Sequence, residues 1–186
     1  MTKAEAREEY LKRRMALRDA DRDKRNRHIL KRFIESGYLD SVETIHIFLS
    51  MERTREPDTW KIIDSILPTK KVVIPRINEK GLLDHICYEG VQQLKENKLG
   101  ILEPAKGTAA NVRQIDMVIT PLVAFDVEGN RVGYGKGFYD KFLKECRSDC
   151  IVAGLSFFQA AKKFSDVEAH DVPLDTCITP TSTYKF

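Results

Sequence analysis

The chain alternates short, nearly continuous apolar runs with segments in which apolar residues recur at helical spacing. The apolar runs predict strands at 42–50, 71–77, 85–89, 115–120, 150–156 and 177–179. Helical spacing predicts helices at 59–67, 90–96, 137–146 and 157–164, and two more within residues 1–36. Strands that are apolar along their whole length are typically buried on both faces. The pattern therefore favours an α/β fold, a three-layer α/β/α sandwich around a largely parallel, Rossmann-like sheet.

The two N-terminal helices are amphipathic and strongly charged. Their predicted apolar faces consist of Ala6, Tyr10, Met15 and Leu17 in the first helix and Ile29, Leu30, Phe33 and Ile34 in the second. Residues 1–36 carry twelve Lys and Arg against seven Asp and Glu, a net charge of +5, whereas the remaining 150 residues sum to −2. This excess of cations is explained either by a solvated outer face of the helices or by an anion-binding site.

Composition limits the possible classes of protein. A chain of 186 residues with 42% hydrophobic residues is long and apolar enough for a buried core, and we expect a single domain over 1–186 that includes the helices of 1–36. No apolar run approaches the 18 to 20 residues needed to span a bilayer, and the first twenty residues are too charged for a signal peptide. We therefore expect a cytoplasmic protein with reduced cysteines.

The segment most suggestive of chemistry is PLVAFDVEGNRVGYGKGFYD, at 121–140, between a predicted strand and a predicted helix. Its four glycines permit close backbone approach to a ligand, and Arg131 and Lys136 add positive charge, a combination that suits a polyphosphate. The spacing matches neither a dinucleotide-binding GxGxxG loop nor a Walker loop, and a plain hairpin turn is the alternative. Tyr139 and Asp140 add an aromatic ring and a carboxylate suited to magnesium.

Five motifs in this order resemble those of the 5-formyltetrahydrofolate cyclo-ligase (methenyltetrahydrofolate synthetase) family. They are LSM at 49–51, IPR at 74–76, GILEP at 100–104, FDxxGNRxGxGKGxYD at 125–140 and HDVPLD at 170–175. The resemblance covers essentially the whole chain, and its glycine-rich segment is the most specific part. It implies an ATP- and Mg²⁺-dependent ligase that closes 5-formyltetrahydrofolate into 5,10-methenyltetrahydrofolate and releases ADP and phosphate.

The resemblance implies an ATP site composed of residues from two distant segments. They are Lys3 and Arg7 of the first helix, together with Arg131, Val132, Gly133, Tyr134, Gly135, Lys136, Gly137, Phe138 and Tyr139. Arg131 and Lys136 are expected to act on the phosphates, and so carry the catalytic role. Since residues four apart share one face of a helix, Lys3 and Arg7 are expected to point the same way. Asp140 and Asp171 are implied as Mg²⁺ ligands.

For the folate, the resemblance implies contacts from Leu49, Met51, Tyr139 and Glu103, and from an acidic residue that accepts hydrogen bonds from the pterin. The family's ExxT pattern places that acid at Glu56, and a longer loop makes Glu52 the competing assignment.

The implied reaction phosphorylates the formyl oxygen, after which nitrogen 10 attacks the activated carbon. Such chemistry asks mainly for alignment and charge neutralisation, which agrees with the lack of a Ser/His/Asp set in the sequence. We expect a monomer that uses ATP and 5-formyltetrahydrofolate and binds neither nucleic acid nor membrane. The alternatives are an enzyme of the sugar-phosphate isomerase type on a similar fold and a nucleic-acid-binding module built on the basic helices.

Overall fold

The computed structural model describes residues 1–97 and 100–186. Its helices are α1 (Lys3–Met15), α2 (Asp19–Ile34), α3 (Thr59–Ile66) and α4 (Phe138–Leu143). Its strands are β1 (Thr44–Ile47), β2 (Lys71–Ile77), β3 (Leu83–Cys87), β4 (Leu94–Glu96), β5 (Leu102–Pro104), β6 (Met117–Thr120), β7 (Ala124–Phe125), β8 (Arg131–Val132), β9 (Ile151–Leu155), β10 (Thr176–Ile178) and β11 (Thr183–Lys185).

Seven of these strands form one sheet in the order β11-β10-β9-β6-β1-β2-β3. The five inner strands run parallel, and the edge strands β3 and β11 pair antiparallel with their neighbours. From β1 the chain continues to β2 on one side and returns with β6 on the other, so the connections change direction at β1. The predicted α/β class and largely parallel sheet are confirmed.

Helices cover both faces of the sheet, as the continuous apolar runs predicted. On one face, sheet residues such as Ile45 and Ile47 pack with apolar side chains of α1, α2 and α3. On the opposite face, Val118 and Val152 pack with Phe142 and Leu143 of α4. The three-layer arrangement is therefore uneven, with three helices on one side and one short helix on the other.

Local side-chain hydrogen bonds define where two helices begin. Thr2 Oγ1 accepts a bond of 3.2 Å from the Glu5 amide, and the Glu5 carboxylate accepts one of 2.8 Å from the Thr2 amide, a capping box that fixes the first turn of α1. Asp58 caps α3 by accepting from the Trp60 amide at 3.0 Å. These caps fix the directions in which both helices leave the preceding loops.

Two helix predictions were wrong. Residues 90–96 contain a short 3-10 helix at Val91–Gln93 followed by β4, which pairs with β5. Residues 157–164 contain no helix, because backbone donors of this segment bond elsewhere: the Ala161 amide to the Phe125 carbonyl at 2.8 Å and the Phe164 amide to Asp126 at 2.9 Å. Helical spacing of apolar residues is overridden there by tertiary hydrogen bonds.

The predicted apolar faces of α1 and α2 are partly wrong as well. Met15 and Ile34 are exposed, at 51% and 46%. Arg14 takes the inward position on α1 and is 3% exposed. Within the described residues, no helix is both long enough and apolar enough to cross a membrane.

Candidate active site

A cavity of about 770 Å³ opens at the carboxyl ends of β1, β2 and β6. Its wall includes Phe48 and Met51, which follow β1, Pro75 and Ile77 near the end of β2, and Pro121 after β6. Ligands of open α/β sheets commonly bind at this edge, where the connections change direction. The volume lies in the range of roughly 300–1,000 Å³ usual for small-molecule sites.

This cavity brings together every residue that the sequence analysis assigned to a ligand. Its wall contains Lys3, Arg7, Leu49, Met51, Glu56, Glu103, residues 131–140 and Asp171. These residues come from α1, the loop after β1, β5, the glycine loop and the segment before β10. The two proposed ligand sites are therefore two parts of one cavity.

The glycine-rich segment contains both a hairpin turn and a ligand-facing loop. Gly129, at φ +83°, lies in the turn between the paired strands β7 and β8, as the plain-hairpin alternative expected. Gly135 and Gly137, at φ +84° and +66°, lie in the following loop and line the cavity. Since side chains are strained at such φ values, both positions favour glycine. The following helix is shorter than predicted, ending at Leu143 rather than near Cys146.

Helix α1 lies along this glycine loop and contacts it with basic side chains. Arg7 Nε donates a 2.8 Å hydrogen bond to the Gly133 carbonyl, and its guanidinium lies 3.6 Å from where a Cβ on Gly135 would stand. One turn earlier, Lys3 Nζ forms a 2.6 Å ion pair with Asp171. The N-terminal cations are thus explained in part by cavity contacts and only in part by a solvated surface.

Arg131 is the most deeply buried cation in the cavity wall. Its side chain is 6% exposed, and Nη2 pairs with Asp140 Oδ1 at 2.8 Å. Its other terminal nitrogen, Nη1, is buried and has no hydrogen-bond partner. Burial lowers the pKa of Arg131, against the opposing effect of Asp140, but guanidinium remains charged at neutral pH. An unpartnered buried donor on a cation favours an anionic ligand at this point.

Tyr139 contributes a second buried donor without a partner. Its hydroxyl is inaccessible to solvent and makes no hydrogen bond in the described structure. Burial, followed by the negative charge of Glu56, raises the pKa of Tyr139 well above the usual tyrosine value, so the hydroxyl stays protonated. Its ring packs edge-on against His46 and Phe142, each at 6.0 Å between centroids. Tyr139 therefore combines a packing role with a buried donor that has no partner in the described structure.

Glu56, also in the cavity wall, is a fixed, buried carboxylate. It is 6% exposed; Oε2 accepts from the Met51 amide at 2.7 Å and Oε1 from the Tyr134 hydroxyl at 2.7 Å. The competing candidate, Glu52, has a side chain that is 79% exposed, pairs with Arg22 and is not part of the cavity wall. The geometry therefore favours Glu56 over Glu52 as a ligand-binding acid.

Glu103 is placed in the wall by the small β4–β5 sheet. Its carboxylate accepts hydrogen bonds from the Asn97 side chain at 3.0 Å and from the Ile77 amide at 3.4 Å. The bond from Ile77 joins β5 to β2 and the bond from Asn97 joins β5 to the residue after β4, so Glu103 has a structural role in addition to facing the cavity.

The two carboxylates expected to bind Mg²⁺ show a common pattern. Asp140 uses Oδ1 to accept from Arg131 and the Val172 amide, and Asp171 uses Oδ2 to accept from Lys3 and the Glu168 amide. In each, the second oxygen accepts no hydrogen bond from the described part of the chain. Residues 1–97 and 100–186 hold no group of three or more metal-binding side chains. Since Mg²⁺ usually takes only one or two protein carboxylates with phosphates and water, the residues fit this ion.

The sequence analysis missed one residue that is central to the geometry. Arg14 Nη2 donates to the Tyr134 hydroxyl at 2.6 Å and Nη1 donates to the Leu122 carbonyl at 3.3 Å. Its position was detectable, because Lys3, Arg7 and Arg14 are spaced by four and seven residues and so share one face of a helix. Arg53 and His170 also line the cavity and were not singled out.

Comparison with known proteins gives concordant results. A sequence model described as the 5-formyltetrahydrofolate cyclo-ligase family matches residues 1–180. The chain is 32% identical to 5-formyltetrahydrofolate cyclo-ligase from Escherichia coli K12, over 77% of this chain and 81% of that protein. It is 29% identical to the enzyme of that name from Mus musculus, over 91% of this chain and 89% of the relative.

Two solved structures share the fold. A 5,10-methenyltetrahydrofolate synthetase from Aquifex aeolicus superposes with a TM-score of 0.86 at 24% identity, covering 100% of this chain and 93% of that one. A protein of the same name from Mycoplasma pneumoniae superposes with a TM-score of 0.76 at 22% identity, covering 97% and 99%. With a family match across nearly the whole sequence, the chain belongs to the 5-formyltetrahydrofolate cyclo-ligase family.

Proposed function

We propose that this protein is an ATP- and Mg²⁺-dependent ligase that converts 5-formyltetrahydrofolate into 5,10-methenyltetrahydrofolate, with release of ADP and phosphate. Family membership supports the reaction class. The single observation that carries the assignment of the site is the shared cavity, whose wall combines a buried cationic donor without a partner, Arg131 Nη1, with the fixed carboxylate of Glu56.

The basic residues of the cavity wall are suited to binding the triphosphate. Lys3, Arg7, Arg131 and Lys136 all line the cavity. Phosphoryl transfer requires mainly positioning and neutralisation of the transferred group's charge, which fixed cations provide without reorganisation. We assign Arg131 and Lys136 to the phosphates, with Lys3 and Arg7 beside the same loop. Backbone groups of residues 132–138 would supply the remaining contacts to the nucleotide.

Asp140 and Asp171 would hold Mg²⁺ through the oxygen of each that accepts no hydrogen bond within the described chain. When bound, the ion supplies charge neutralisation at the phosphates. The protein's own contribution is to hold both carboxylates in a fixed orientation through their partners Arg131 and Lys3. Since these partners also face the cavity, the same ion pairs organise the metal ligands and the phosphate contacts.

The carboxylate of Glu56 is suited to binding the pterin. Glu56 already accepts one hydrogen bond at each oxygen, which leaves each oxygen able to accept another. A carboxylate presenting two parallel acceptors matches the amino and ring N–H donors of a pterin. Leu49, Met51 and Tyr139 would pack against the substrate, and Glu103 would supply a further polar contact.

With both ligands in one cavity, the formyl oxygen can attack the γ-phosphorus, and nitrogen 10 can then add to the activated carbon before phosphate leaves. The protein aligns the reacting groups and excludes water; no residue has to act as a covalent nucleophile. Orientation of this kind is worth up to about 7–11 kcal/mol. We further propose one domain over 1–186 that works as a monomer, with the residues assigned to both ligands in one cavity.

The test is the appearance of the methenyl product, followed by its ultraviolet absorbance, when purified protein is mixed with 5-formyltetrahydrofolate, Mg²⁺ and ATP. We expect an absorbance gain together with one phosphate released per product. Reactions without ATP, and reactions with ADP in its place, are the controls. A folded protein that yields no more product with ATP than without it would overturn the proposal.

A further inference from the structure

We propose that Tyr134, held by Arg14, is a positioning residue for Glu56 and so links the glycine loop to the acid that we assign to the folate. This inference rests on the proposed function, since it concerns how the folate-binding acid is oriented. It gives a residue of the nucleotide loop a role in binding the other substrate.

Three side chains form a continuous hydrogen-bonded path. Arg14 Nη2 donates to the Tyr134 hydroxyl at 2.6 Å, and that hydroxyl lies 2.7 Å from Glu56 Oε1. The direction of both bonds is fixed by chemistry, because guanidinium has donors only. The tyrosine oxygen must therefore accept from Arg14, and its single proton must point to Glu56. Burial and the charge of Glu56 raise the pKa of Tyr134 to about 12, which keeps that proton in place.

The path also balances charge. Arg14 is 3% exposed and Glu56 is 6% exposed, so neither is adequately solvated by water. The hydroxyl between them joins a buried cation to a buried anion through short, charge-assisted hydrogen bonds. Arg14 is additionally fixed by the Leu122 carbonyl, and its guanidinium lies 5.7 Å from the centroid of the Tyr134 ring. The cation is not part of the cavity wall, so it acts through Tyr134 and not on a ligand.

Orientation of Glu56 depends on this arrangement. The Met51 amide holds Oε2 and the Tyr134 hydroxyl holds Oε1, so the carboxylate is fixed at both oxygens. If the hydroxyl is lost, Oε1 has no remaining protein donor in the described structure. The carboxylate is then held only by the hydrogen bond from the Met51 amide to Oε2 and is free to rotate. Since two parallel acceptors are needed to bind a pterin edge, folate binding should weaken. The ATP contacts assigned to Arg131 and Lys136 do not involve this hydroxyl.

The test is Tyr134→Phe, which removes one oxygen from a loop side chain that is 36% exposed. Dissociation constants for 5-formyltetrahydrofolate and for ATP are measured separately by calorimetry. We expect the folate Kd to rise roughly five- to twentyfold and the ATP Kd to change less than twofold. Tyr184→Phe, a hydroxyl removed from β11 away from the cavity, is the matched control and should change neither.

Two further variants separate positioning from a general effect on the loop. In a Glu56→Gln background, Tyr134→Phe should change the folate Kd less than twofold further, because the carboxylate that Tyr134 orients is already replaced. Arg14→Met leaves Tyr134 and Glu56 in place and should weaken folate binding in the same direction.

The outcomes distinguish this inference from the proposed function. Wild-type protein that binds no 5-formyltetrahydrofolate contradicts the proposed function itself. Wild-type protein that binds it, with an unchanged or lower folate Kd in Tyr134→Phe, overturns the inference alone. Equal weakening of ATP and folate also overturns it, because that result indicates a loop that has lost its shape.

Discussion

Lys3 and Asp171 stand 168 positions apart in the sequence and form a 2.6 Å ion pair at the edge of the cavity. The pair joins the first turn of α1 to the segment that precedes β10. Partial burial works to raise the pKa of Asp171, but hydrogen bonds from the Glu168 amide and from Lys3 hold it below its usual value. The carboxylate is therefore ionised under the conditions in which a metal and a triphosphate would bind.

We predict that Lys3→Met weakens ATP binding about tenfold, because a cation next to the phosphates is lost and Asp171 is left without its partner. The measurement is the ATP Kd in the presence of Mg²⁺, with Lys12→Met of the same helix as control. An unchanged ATP Kd would show that Lys3 serves only to anchor α1.

Lys136→Ala should raise the KM for ATP roughly tenfold and leave the KM for 5-formyltetrahydrofolate within twofold. Lys136 lies in the exposed part of the glycine loop, so its removal perturbs no packing. Steady-state kinetics with each substrate varied in turn measures both values. Lys144→Ala, an exposed lysine after α4, is the control. A rise in the folate KM alone would contradict the assignment of Lys136 to the phosphates.

Glu56→Gln should weaken 5-formyltetrahydrofolate binding by about ten- to a hundredfold, because a neutral amide presents one acceptor where the carboxylate presents two. Glu52→Gln is the matched comparison, since Glu52 is exposed and outside the cavity wall. Binding is measured by calorimetry without ATP. If Glu52→Gln causes the loss and Glu56→Gln does not, the assignment of the folate acid is reversed.

For the metal, Asp140→Asn should increase severalfold the Mg²⁺ concentration needed for half-maximal velocity. The substitution keeps the size of the side chain and removes its charge. Asp149→Asn, whose side chain is 75% exposed, serves as control. A Mg²⁺ titration at fixed total ATP is the measurement, and a superimposable curve for Asp140→Asn would argue against a metal ligand at this position.

Two buried histidines, His46 beside Tyr139 and His85 beside His46, predict how the free energy of unfolding depends on pH. His46 is 0% exposed with both ring nitrogens unpartnered, and His85, 8% exposed, lies 5.2 Å away between ring centroids. Burial lowers the pKa of His85 to about 4 and that of His46 well below its usual value. Each histidine is neutral in the folded state and protonates near its ordinary pKa of about 6.5 once unfolded.

Below about pH 6.5 the unfolded chain binds more protons than the folded chain. The contribution of the neutral histidines to the free energy of unfolding is therefore fully present above about pH 6.5 and is lost as the pH drops toward 4. For His85 the expected loss is on the order of 2 kcal/mol between pH 7 and pH 5, and His46 adds to the loss in the same direction. Urea denaturation at several pH values measures it. His46→Leu should make this dependence shallower, whereas His28→Gln, at an exposed histidine, should leave it unchanged. Equal pH slopes in wild type and His46→Leu would contradict the prediction.

The pattern of apolar residues along the sequence was enough to predict much of the fold. The inner strands are apolar along their length because they are buried on both faces, and that property is written directly into the sequence. The errors fall where distant hydrogen bonds decide the backbone. Asp126 accepts from the Phe164 amide and thereby prevents a helix whose apolar spacing is otherwise adequate. Similarly, pairing with β5 turns residues 94–96 into a strand.

The sequence by itself determined the five inner strands, the helices α1 to α4, the conformational freedom of the glycine loop and, through its motifs, the family. Only the tertiary structure decided that Lys3 meets Asp171, that Glu56 and not Glu52 faces the cavity, and that Arg14 reaches Tyr134 and, through it, Glu56. Local patterns report which face of an element is buried. Which charged groups meet there depends on how separate elements cross the sheet, and that is fixed by packing of the whole core.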